Sequence, residues 1–232
     1  MNVVTLLTDF GTADAYVGIM KGVILSRVPT AQLVDISHAI PPQDVVAGAV
    51  LLRSTVPYFP QGTVHMTVVD PGVGSARHPL IVTTAQGVFV GPDNGVLMPA
   101  VAAAGGGTAY RIPQERFFRQ PVSHTFHGRD VFAPLAAHLC CGVSPEEMGV
   151  RYDTPVPLHI PAPVAQGELI HGEVLYIDHF GNVVTNIPAA MLTSAPLTVH
   201  IAGQQVTGLQ TAYAAVPVGA PLAIIGSWGM LE

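Results

Sequence analysis

Three polar side chains of complementary chemistry stand in glycine-containing segments of this 232-residue chain. Asp70 and Arg77 bracket the segment Asp70-Pro-Gly-Val-Gly-Ser-Ala-Arg77, and His127 lies within Thr-Phe-His-Gly-Arg-Asp. A carboxylate accepts hydrogen bonds, a guanidinium supplies a fixed positive charge, and an imidazole is a tunable base. Together these three groups suffice to hold and polarise one water molecule.

A further carboxylate, Asp9, follows the apolar run Val3–Thr8 and precedes Gly11. If that run is a strand, Asp9 emerges at the carboxyl edge of a sheet, where ligands of α/β proteins collect. A carboxylate in that place can accept both hydroxyls of a ribose. A helix N-cap or a turn aspartate is the alternative from residue type alone.

Other interpretations of the same residues stay open at this point. The pair of Asp70 and Arg77 is also typical of a surface salt bridge that braces a turn. His124, His127 and Asp130 suggest a metal site, but two imidazoles at this spacing need a third ligand from elsewhere, and no cysteine cluster supplies one.

The elements that must position these residues follow from hydrophobic periodicity. Residues 1–152 alternate short β-branched runs with helical patterns, which predicts an α/β domain with a mainly parallel sheet flanked by helices. The predicted strands are Val3–Thr8, Gln32–Ile36, Thr63–Val69, Leu80–Thr84 and Gly87–Val90. The predicted helices are Ala15–Ser26 and Val45–Thr55.

The pattern changes after residue 152. Residues 153–167 are rich in proline, which suits neither a helix nor a central strand, so they are predicted to be a linker. Residues 168–232 carry short strand patterns separated by turn residues, which predicts a small all-β, barrel-like domain. The strands predicted there are Glu168–Ile177, Leu197–Ile201, Gln204–Leu209 and Pro221–Ile225.

Composition excludes several classes of partner. With 15 acidic and 9 basic residues and no block of Lys and Arg, a nucleic-acid partner is not expected.

No run approaches the roughly 20 apolar residues of a membrane span, and the N-terminus lacks the basic start of a signal peptide. Cys140 and Cys141 are adjacent, which suits neither an ordinary disulfide nor a zinc site. We therefore expect reduced cysteines and a cytoplasmic protein.

Five ordered motifs resemble the S-adenosyl-L-methionine (SAM) hydroxide adenosyltransferase family, the SAM hydrolases, which are relatives of the fluorinating and chlorinating SAM enzymes. The motifs are Asp9-Phe-Gly, Asp70-x6-Arg77, Gly91-Pro-Asp-Asn-Gly95, Phe126-His-Gly-Arg-Asp130 and Ile177-Asp-His-Phe-Gly-Asn182. The resemblance implies metal-independent hydrolysis of SAM by water or hydroxide attack at ribose C5′, giving adenosine and L-methionine. SAM is then the substrate and no cofactor is expected. The resemblance also implies a homotrimer with sites at subunit interfaces.

The same resemblance assigns roles to residues of both predicted domains. The catalytic set around the attacking water is Asp70, Arg77 and His127. The substrate-binding set is Asp9, Asp178, Phe180, Asn182 and Ser227. Within it, Asp9 is expected to bind the ribose and Asp178 to receive the ammonium of the methionine part.

Three alternatives to metal-independent hydrolysis of SAM are kept. A halide transferase resembles this chain, but in those relatives a tyrosine and a serine replace Asp70 and His127, and a carboxylate repels halide. A SAM- or adenosine-binding module without turnover is the second, because the family continues with a further strand beside adenine where this sequence ends at Glu232. A metal-dependent hydrolase is the third.

Overall fold

The computed structural model of the chain describes residues 2–192 and 197–232. Met1 of the predicted first domain and residues 193–196 of the predicted second domain lie outside the described residues. The chain divides into two compact units, residues 1–158 and 159–232. Over the described residues, no helix has the length and apolar character needed to cross a membrane.

The first unit alternates strands and helices as far as its third strand. Its strands are β1 (Val3–Thr8), β2 (Gln32–Ser37), β3 (Thr63–Val68), β4 (Pro79–Thr83), β5 (Gly87–Pro92), β6 (Thr108–Arg111) and β7 (Val150–Arg151). Its α-helices are α1 (Tyr16–Arg27), α2 (Val45–Thr55), α3 (Met98–Ala103), α4 (Ala133–Cys140) and α5 (Pro145–Met148). A π-helical segment, Gly128–Phe132, leads into α4, and short 3-10 turns cover Val56–Tyr58 and Glu115–Phe117.

These strands form one mixed sheet in the order β2-β1-β3-β5-β4-β6-β7. Strands β2, β1, β3 and β5 are parallel, as predicted, whereas β4, β6 and β7 join in antiparallel pairs. The antiparallel part arises because β4 and β5 are joined by only a short turn, and parallel neighbours need a long crossover. The sheet is therefore mixed, with the predicted parallel strands β2, β1, β3 and β5 and an antiparallel end formed by β4, β6 and β7.

The core of the first unit lies on both faces of β1 and β3, whose residues are buried throughout. On one face, Leu6 and Met66 pack with Met20 of α1 and Leu135 of α4. On the other face lies α2, where a Cβ at Gly48 would come within 3.1 Å of the Val69 side chain. Burial on both faces explains why these strands are nearly continuous apolar runs.

The helices α3, α4 and α5 were not predicted, and the longest unpredicted helical stretch is the one formed by the π-helical segment and α4. The π-helical segment and α4 are buried from Val131 to His138, so they lack the polar face that makes a helix recognisable in sequence. Pro134 also lies within this stretch, and a proline inside a helical pattern argues in sequence for an interruption of the helix.

The second unit consists of small antiparallel sheets. Its strands are β8 (Val164–Gln166), β9 (Leu169–His171), β10 (Val174–Ile177), β11 (Val183–Thr185), β12 (Thr198–Ile201) and β13 (Gln204–Thr207). They pair as β8–β9, β10–β11 and β12–β13. Short 3-10 turns cover Ala189–Met191 and Tyr213–Ala215. The all-β character agrees with the prediction, and closure into a barrel stays a prediction.

Three details of the second unit differ from the prediction. The single strand Glu168–Ile177 is interrupted near Gly172, where a Cβ would come within 2.5 Å of the Ile187 side chain. The predicted strand Pro221–Ile225 makes only single bridges, because proline lacks a ladder donor and a turn follows directly. Val164–Gln166, predicted as linker, forms a strand of a two-stranded sheet, in which every strand is an edge.

Candidate active site

Asp9 and Asp70 lie at the carboxyl ends of neighbouring parallel strands. Asp9 directly follows β1, Asp70 follows β3 after Val69, and the two strands are hydrogen-bonded neighbours. The chain continues from β1 to β2 on one side, while β3 lies on the other side. Such a switch point is where open α/β sheets bind ligands. Arg77 returns to the same edge because it precedes β4, which runs antiparallel to β5.

Asp70 and Arg77 form a bidentate ion pair. Nε of Arg77 donates to Oδ1 and Oδ2 of Asp70 at 2.9 and 3.1 Å, and Nη2 donates to Oδ2. The side chains are only 9% (Arg77) and 5% (Asp70) exposed, and the guanidinium carbon lies 5.1 Å from the ring centre of Phe132. This pair is therefore a buried element of the site, not the surface brace that sequence spacing also allowed.

Arg77 also determines the protonation of His127. Its Nη2 lies 2.7 Å from Nδ1 of His127. A guanidinium can only donate, so Nδ1 accepts and the proton of the neutral imidazole is on Nε2. Burial, and next the charge of Arg77, lower the pKa of His127 below its ordinary value. The site thus contains a neutral imidazole whose Nε2 carries an N–H donor.

The segment that carries His127 is supported by the loop after β3. Gly74, at φ +76°, approaches the backbone of His124 so closely that a Cβ would lie 2.3 Å from the His124 carbonyl oxygen. The buried Asp130 accepts a hydrogen bond from the backbone N–H of Ser123 at 2.9 Å. The Asp70–Arg77 loop and the His127 segment are therefore packed as one assembly.

The turn at residues 91–95 contacts both ends of the Asp70–Arg77 loop. Nδ2 of Asn94 donates to the carbonyl oxygen of Val69 at 2.8 Å. The backbone N–H of Asp93 donates to the carbonyl oxygen of His78 at 2.9 Å. The turn signature Gly-Pro-Asp-Asn-Gly thus fixes the two ends of the loop that holds the ion pair.

Asp9 is oriented by the segment that begins α2. Its Oδ2 accepts a hydrogen bond at 2.8 Å from the backbone N–H of Gln43, which adopts a left-handed conformation with φ 67°. The N-cap of α2 is the next residue, Asp44, whose Oδ1 accepts from the N–H of Ala47 at 2.8 Å. Asp9 is therefore not a helix N-cap, and its carboxylate is held at the sheet edge.

An aromatic cluster joins the loop after β1 to the His127 segment. Phe10 lies 5.8 Å from Tyr16 and 6.1 Å from Phe126 between ring centres, and Tyr16 lies 5.0 Å from Phe126. Gly128, directly after His127, packs against the cluster, since a Cβ there would lie 3.2 Å from the Phe10 ring. Movement of one segment therefore disturbs the packing of the other.

In the second unit, the residues predicted to bind substrate lie in two turns. Oδ1 of Asp178 accepts from the backbone N–H groups of Phe180 and Asn182 at 2.9 and 2.8 Å, and its Oδ2 accepts from Asn182 Nδ2 at 2.8 Å. Burial acts to raise the pKa of Asp178, but these hydrogen bonds outweigh it and lower the pKa. Phe180 is 86% exposed, and Ser227 is exposed in the turn before Leu231.

Tyr213 extends this cluster in a way the sequence did not indicate. Its hydroxyl accepts from Asn182 Nδ2 at 3.3 Å and donates to Oε2 of Glu232 at 3.0 Å. All three residues line a cavity of about 370 Å³ within the second unit. No short-range signal joins residues 31 and 19 positions apart, so only the tertiary structure reveals this contact.

The metal interpretation of the histidine pair finds no assembled ligand set. Nδ1 of His127 contacts Arg77, and both carboxylate oxygens of Asp130 accept from Arg129 at 2.7 Å. Across residues 2–192 and 197–232, no group of three or more His, Cys, Asp or Glu side chains is arranged to hold a metal ion.

Comparison with protein families matches most of the chain. Residues 4–149 match the SAM hydroxide adenosyltransferase N-terminal domain, and residues 172–232 match the SAM hydroxide adenosyltransferase C-terminal domain.

Individual relatives agree with this match. A protein of Salinispora arenicola named (R)-S-adenosyl-L-methionine hydrolase is 39% identical over 231 residues, or 98% of this chain and 88% of the relative. A protein of that name from Thermus thermophilus is 40% identical over 239 residues, or 100% and 91%. A fluorinase of an Actinoplanes species is 29% identical, and the match covers 83% of this chain and 74% of the fluorinase. The crystal structure of a conserved protein from Thermotoga maritima matches with a TM-score of 0.90 and 35% sequence identity. This match covers 98% of this chain and 90% of the Thermotoga chain.

Proposed function

The chain belongs to the SAM hydroxide adenosyltransferase family, and from that premise we propose that it hydrolyses SAM at ribose C5′ and releases adenosine and L-methionine. The observation that carries the proposal is the cluster of Asp70, Arg77 and His127 at the carboxyl edge of the sheet, beside Asp9. This edge offers an acceptor, a cation and an N–H donor for one oxygen nucleophile. No cofactor is needed, because SAM itself is the substrate.

The chemistry asks little of the protein beyond positioning. The sulfonium of SAM leaves as a neutral thioether, so the reaction needs no general acid. One bond forms between the water oxygen and C5′ while the C5′–S bond breaks, and the electron pair of the broken bond stays on sulfur. Most of the rate gain therefore comes from holding a partly dehydrated water in line with the C5′–S bond.

His127 and Asp70 take different parts in this step. Because Nδ1 of His127 accepts from Arg77, the protonated Nε2 is a donor that fixes the oxygen of the water and favours hydroxide character. The carboxylate of Asp70 is then the acceptor for the proton that the water loses. Arg77 holds both partners, Asp70 by the buried bidentate ion pair and His127 through Nη2.

Recognition of the two ends of SAM is proposed for the remaining residues. The carboxylate of Asp9, oriented by Gln43, accepts the ribose hydroxyls. The carboxylate of Asp178 receives the methionine ammonium, and its lowered pKa keeps it ionised for that contact. Phe180, Asn182 and Ser227 border the substrate.

The experiment that tests the reaction is mass spectrometry of the products formed from SAM in oxygen-18 water. We expect adenosine labelled at its 5′ oxygen together with unlabelled methionine. The reaction is run with and without a chelator, and with and without added chloride and fluoride. Activity that persists in chelator and is unchanged by halide supports hydrolysis by protein groups alone.

Each rival predicts a different product. A halogenated adenosine formed in the presence of halide would assign the chain to the reaction named for its fluorinase relative. Loss of turnover in chelator would favour a metal-dependent hydrolase. Intact SAM despite measurable binding would leave a binding module, and the hydrolase proposal would be wrong.

We also propose the homotrimer with substrate sites at subunit interfaces that the family resemblance implies, and the cytoplasmic location that the sequence predicts. Light scattering on the purified protein tests the assembly. A mass three times that of one chain is expected, and a monomer that still hydrolyses SAM would contradict the interface sites.

A further inference from the structure

We propose that His38 positions Asp9 for ribose binding, a role that rests on the function proposed above. His38 follows β2, the edge strand next to β1, and is itself 6% exposed. Its contacts in the structure are with the two residues on either side of the Asp9-Phe10 pair.

The side chain of His38 contacts the residue before Asp9. Its Nδ1 lies 2.8 Å from Oγ1 of Thr8, which is fully buried. The same hydroxyl oxygen accepts from the backbone N–H of Phe10 at 3.2 Å. A hydroxyl has one proton, and the contact with His38 determines how that hydroxyl is oriented.

The backbone of His38 contacts the other side of the same loop. Its carbonyl oxygen accepts from the N–H of Gly11 at 2.7 Å, where Gly11 has φ 67°. One residue therefore holds the chain both before and after Asp9. A carboxylate held this way loses little conformational freedom when it binds a ligand, which is how positioning contributes to affinity.

His38 is in turn held by a charged pair on its outer side. Its Nε2 lies 3.0 Å from Oδ1 of Asp35, an ion-pair distance without the alignment of a hydrogen bond. Lys21 of α1 donates to Oδ2 of Asp35 at 2.5 Å. The contacts thus run from α1 through Asp35 and His38 to the loop that carries Asp9.

A second histidine of the same sheet provides a matched control. Nδ1 of His65 lies 2.9 Å from Oγ1 of Thr5, and His65 is 1% exposed. This pair has the same chemistry as His38 and Thr8, but it joins the middle of β1 to β3, away from the loop after β1. A general effect of deleting a buried His–Thr contact will appear in both pairs.

The test measures binding of adenosine and of 2′,3′-dideoxyadenosine by calorimetry. In the His38→Leu protein we expect adenosine to bind about tenfold more weakly, because the ribose hydroxyls lose an oriented acceptor. Dideoxyadenosine has neither hydroxyl, so its affinity is expected to change less than about twofold. In the His65→Leu protein neither ligand is expected to lose affinity.

A second pair of variants keeps the proposal testable if a histidine variant does not fold. Thr8→Val removes the hydroxyl from the other side of the contact, and Thr5→Val is its control. Thr8→Val is expected to show the same hydroxyl-dependent loss, and Thr5→Val none. Since His38 acts through Asp9, His38→Leu must cause no further loss of adenosine affinity in a protein that already carries Asp9→Asn. In SAM hydrolysis, the KM is expected to rise more than the kcat falls.

The outcomes separate this inference from the proposed function. Equal weakening of adenosine and dideoxyadenosine, or the same loss in the control variants, would make His38 a purely structural residue. If the wild-type protein cleaves SAM and the His38→Leu variant binds adenosine as tightly as the wild type, only this inference is overturned. A wild-type protein that neither cleaves SAM nor binds adenosine would overturn both.

Discussion

The Nη2 atom of Arg77 lies 2.7 Å from Nδ1 of His127. The same nitrogen donates to Oδ2 of Asp70, so one buried guanidinium holds both the carboxylate and the imidazole. Because the guanidinium cannot accept a hydrogen bond, Nδ1 of His127 must carry no proton. The proton of the neutral imidazole is therefore on Nε2, which can donate a hydrogen bond.

The first prediction concerns the pH dependence of activity. The pKa of His127 is lowered by burial and by Arg77, so the neutral, active form persists as the pH falls through the ordinary value of 6.5. We expect kcat/KM for adenosine release to be flat through that value and to fall only at lower pH. A loss of activity centred at 6.5 or above would contradict the arrangement. The His127→Asn protein is expected to be slower and to lack this acidic limb.

The second prediction concerns the buried ion pair. Asp70→Asn keeps the shape of the side chain but removes the charge that compensates Arg77. We expect adenosine release to fall by about 10²–10³-fold, and the free energy of unfolding to fall by about 3–5 kcal/mol.

Asp153 provides the control for this change. Asp153 pairs with Arg151 at 3.0 Å, but the side chains are 77% and 73% exposed, so Asp153→Asn should change neither quantity. Adenosine release and chemical denaturation measure the two effects. An Asp70→Asn protein with wild-type turnover would contradict the proposed role.

The third prediction concerns the approach of two loops. A methyl group at Gly74 would lie 2.3 Å from the carbonyl oxygen of His124, and Gly74 also has φ +76°. We expect Gly74→Ala to displace the His127 segment and to lower kcat. Gly62 has φ +84° with nothing within 4 Å of its Cβ position, so Gly62→Ala introduces the backbone strain alone.

The two glycine variants are compared by steady-state kinetics and by thermal unfolding. Both are expected to lose stability, by about 1–2 kcal/mol for the left-handed backbone, but only Gly74→Ala should lose turnover. Equal kinetics in the two proteins would mean that the loop contact does not support the site.

The fourth prediction concerns stability at acid pH. Burial lowers the pKa of His65 from 6.5 to about 4, so below pH 6.5 the unfolded chain binds a proton that the folded chain does not. This contribution to stability is complete above pH 6.5 and is lost as the pH falls to about 4. The loss amounts to about 3 kcal/mol.

Denaturant unfolding at a series of pH values measures this loss. The His65→Leu protein should show a shallower decline between pH 6.5 and about 4 than the wild type. Identical slopes in the two proteins would show that His65 is not the group that titrates.

Local patterns account for what was predictable in the fold. The apolar runs of β1 and β3 were recognisable because both faces of these strands are buried, and their ends placed Asp9 and Asp70 at one sheet edge. The helix α2 was predicted with its bounds, Val45–Thr55, because Asp44 caps it and apolar residues recur along it. The helix after His127 was not, since a helix buried on all sides carries no periodic signal.

The sequence by itself determined which residue types stand at the strand ends and that Asp70 and Arg77, joined by a short glycine-containing turn, are close enough to pair. These properties depend on neighbouring residues alone. The tertiary structure decided which nitrogen of His127 carries the proton, and it brought His38 against the loop of Asp9. Those contacts join residues 50 and 30 positions apart, and only the packing of the whole sheet brings such residues together.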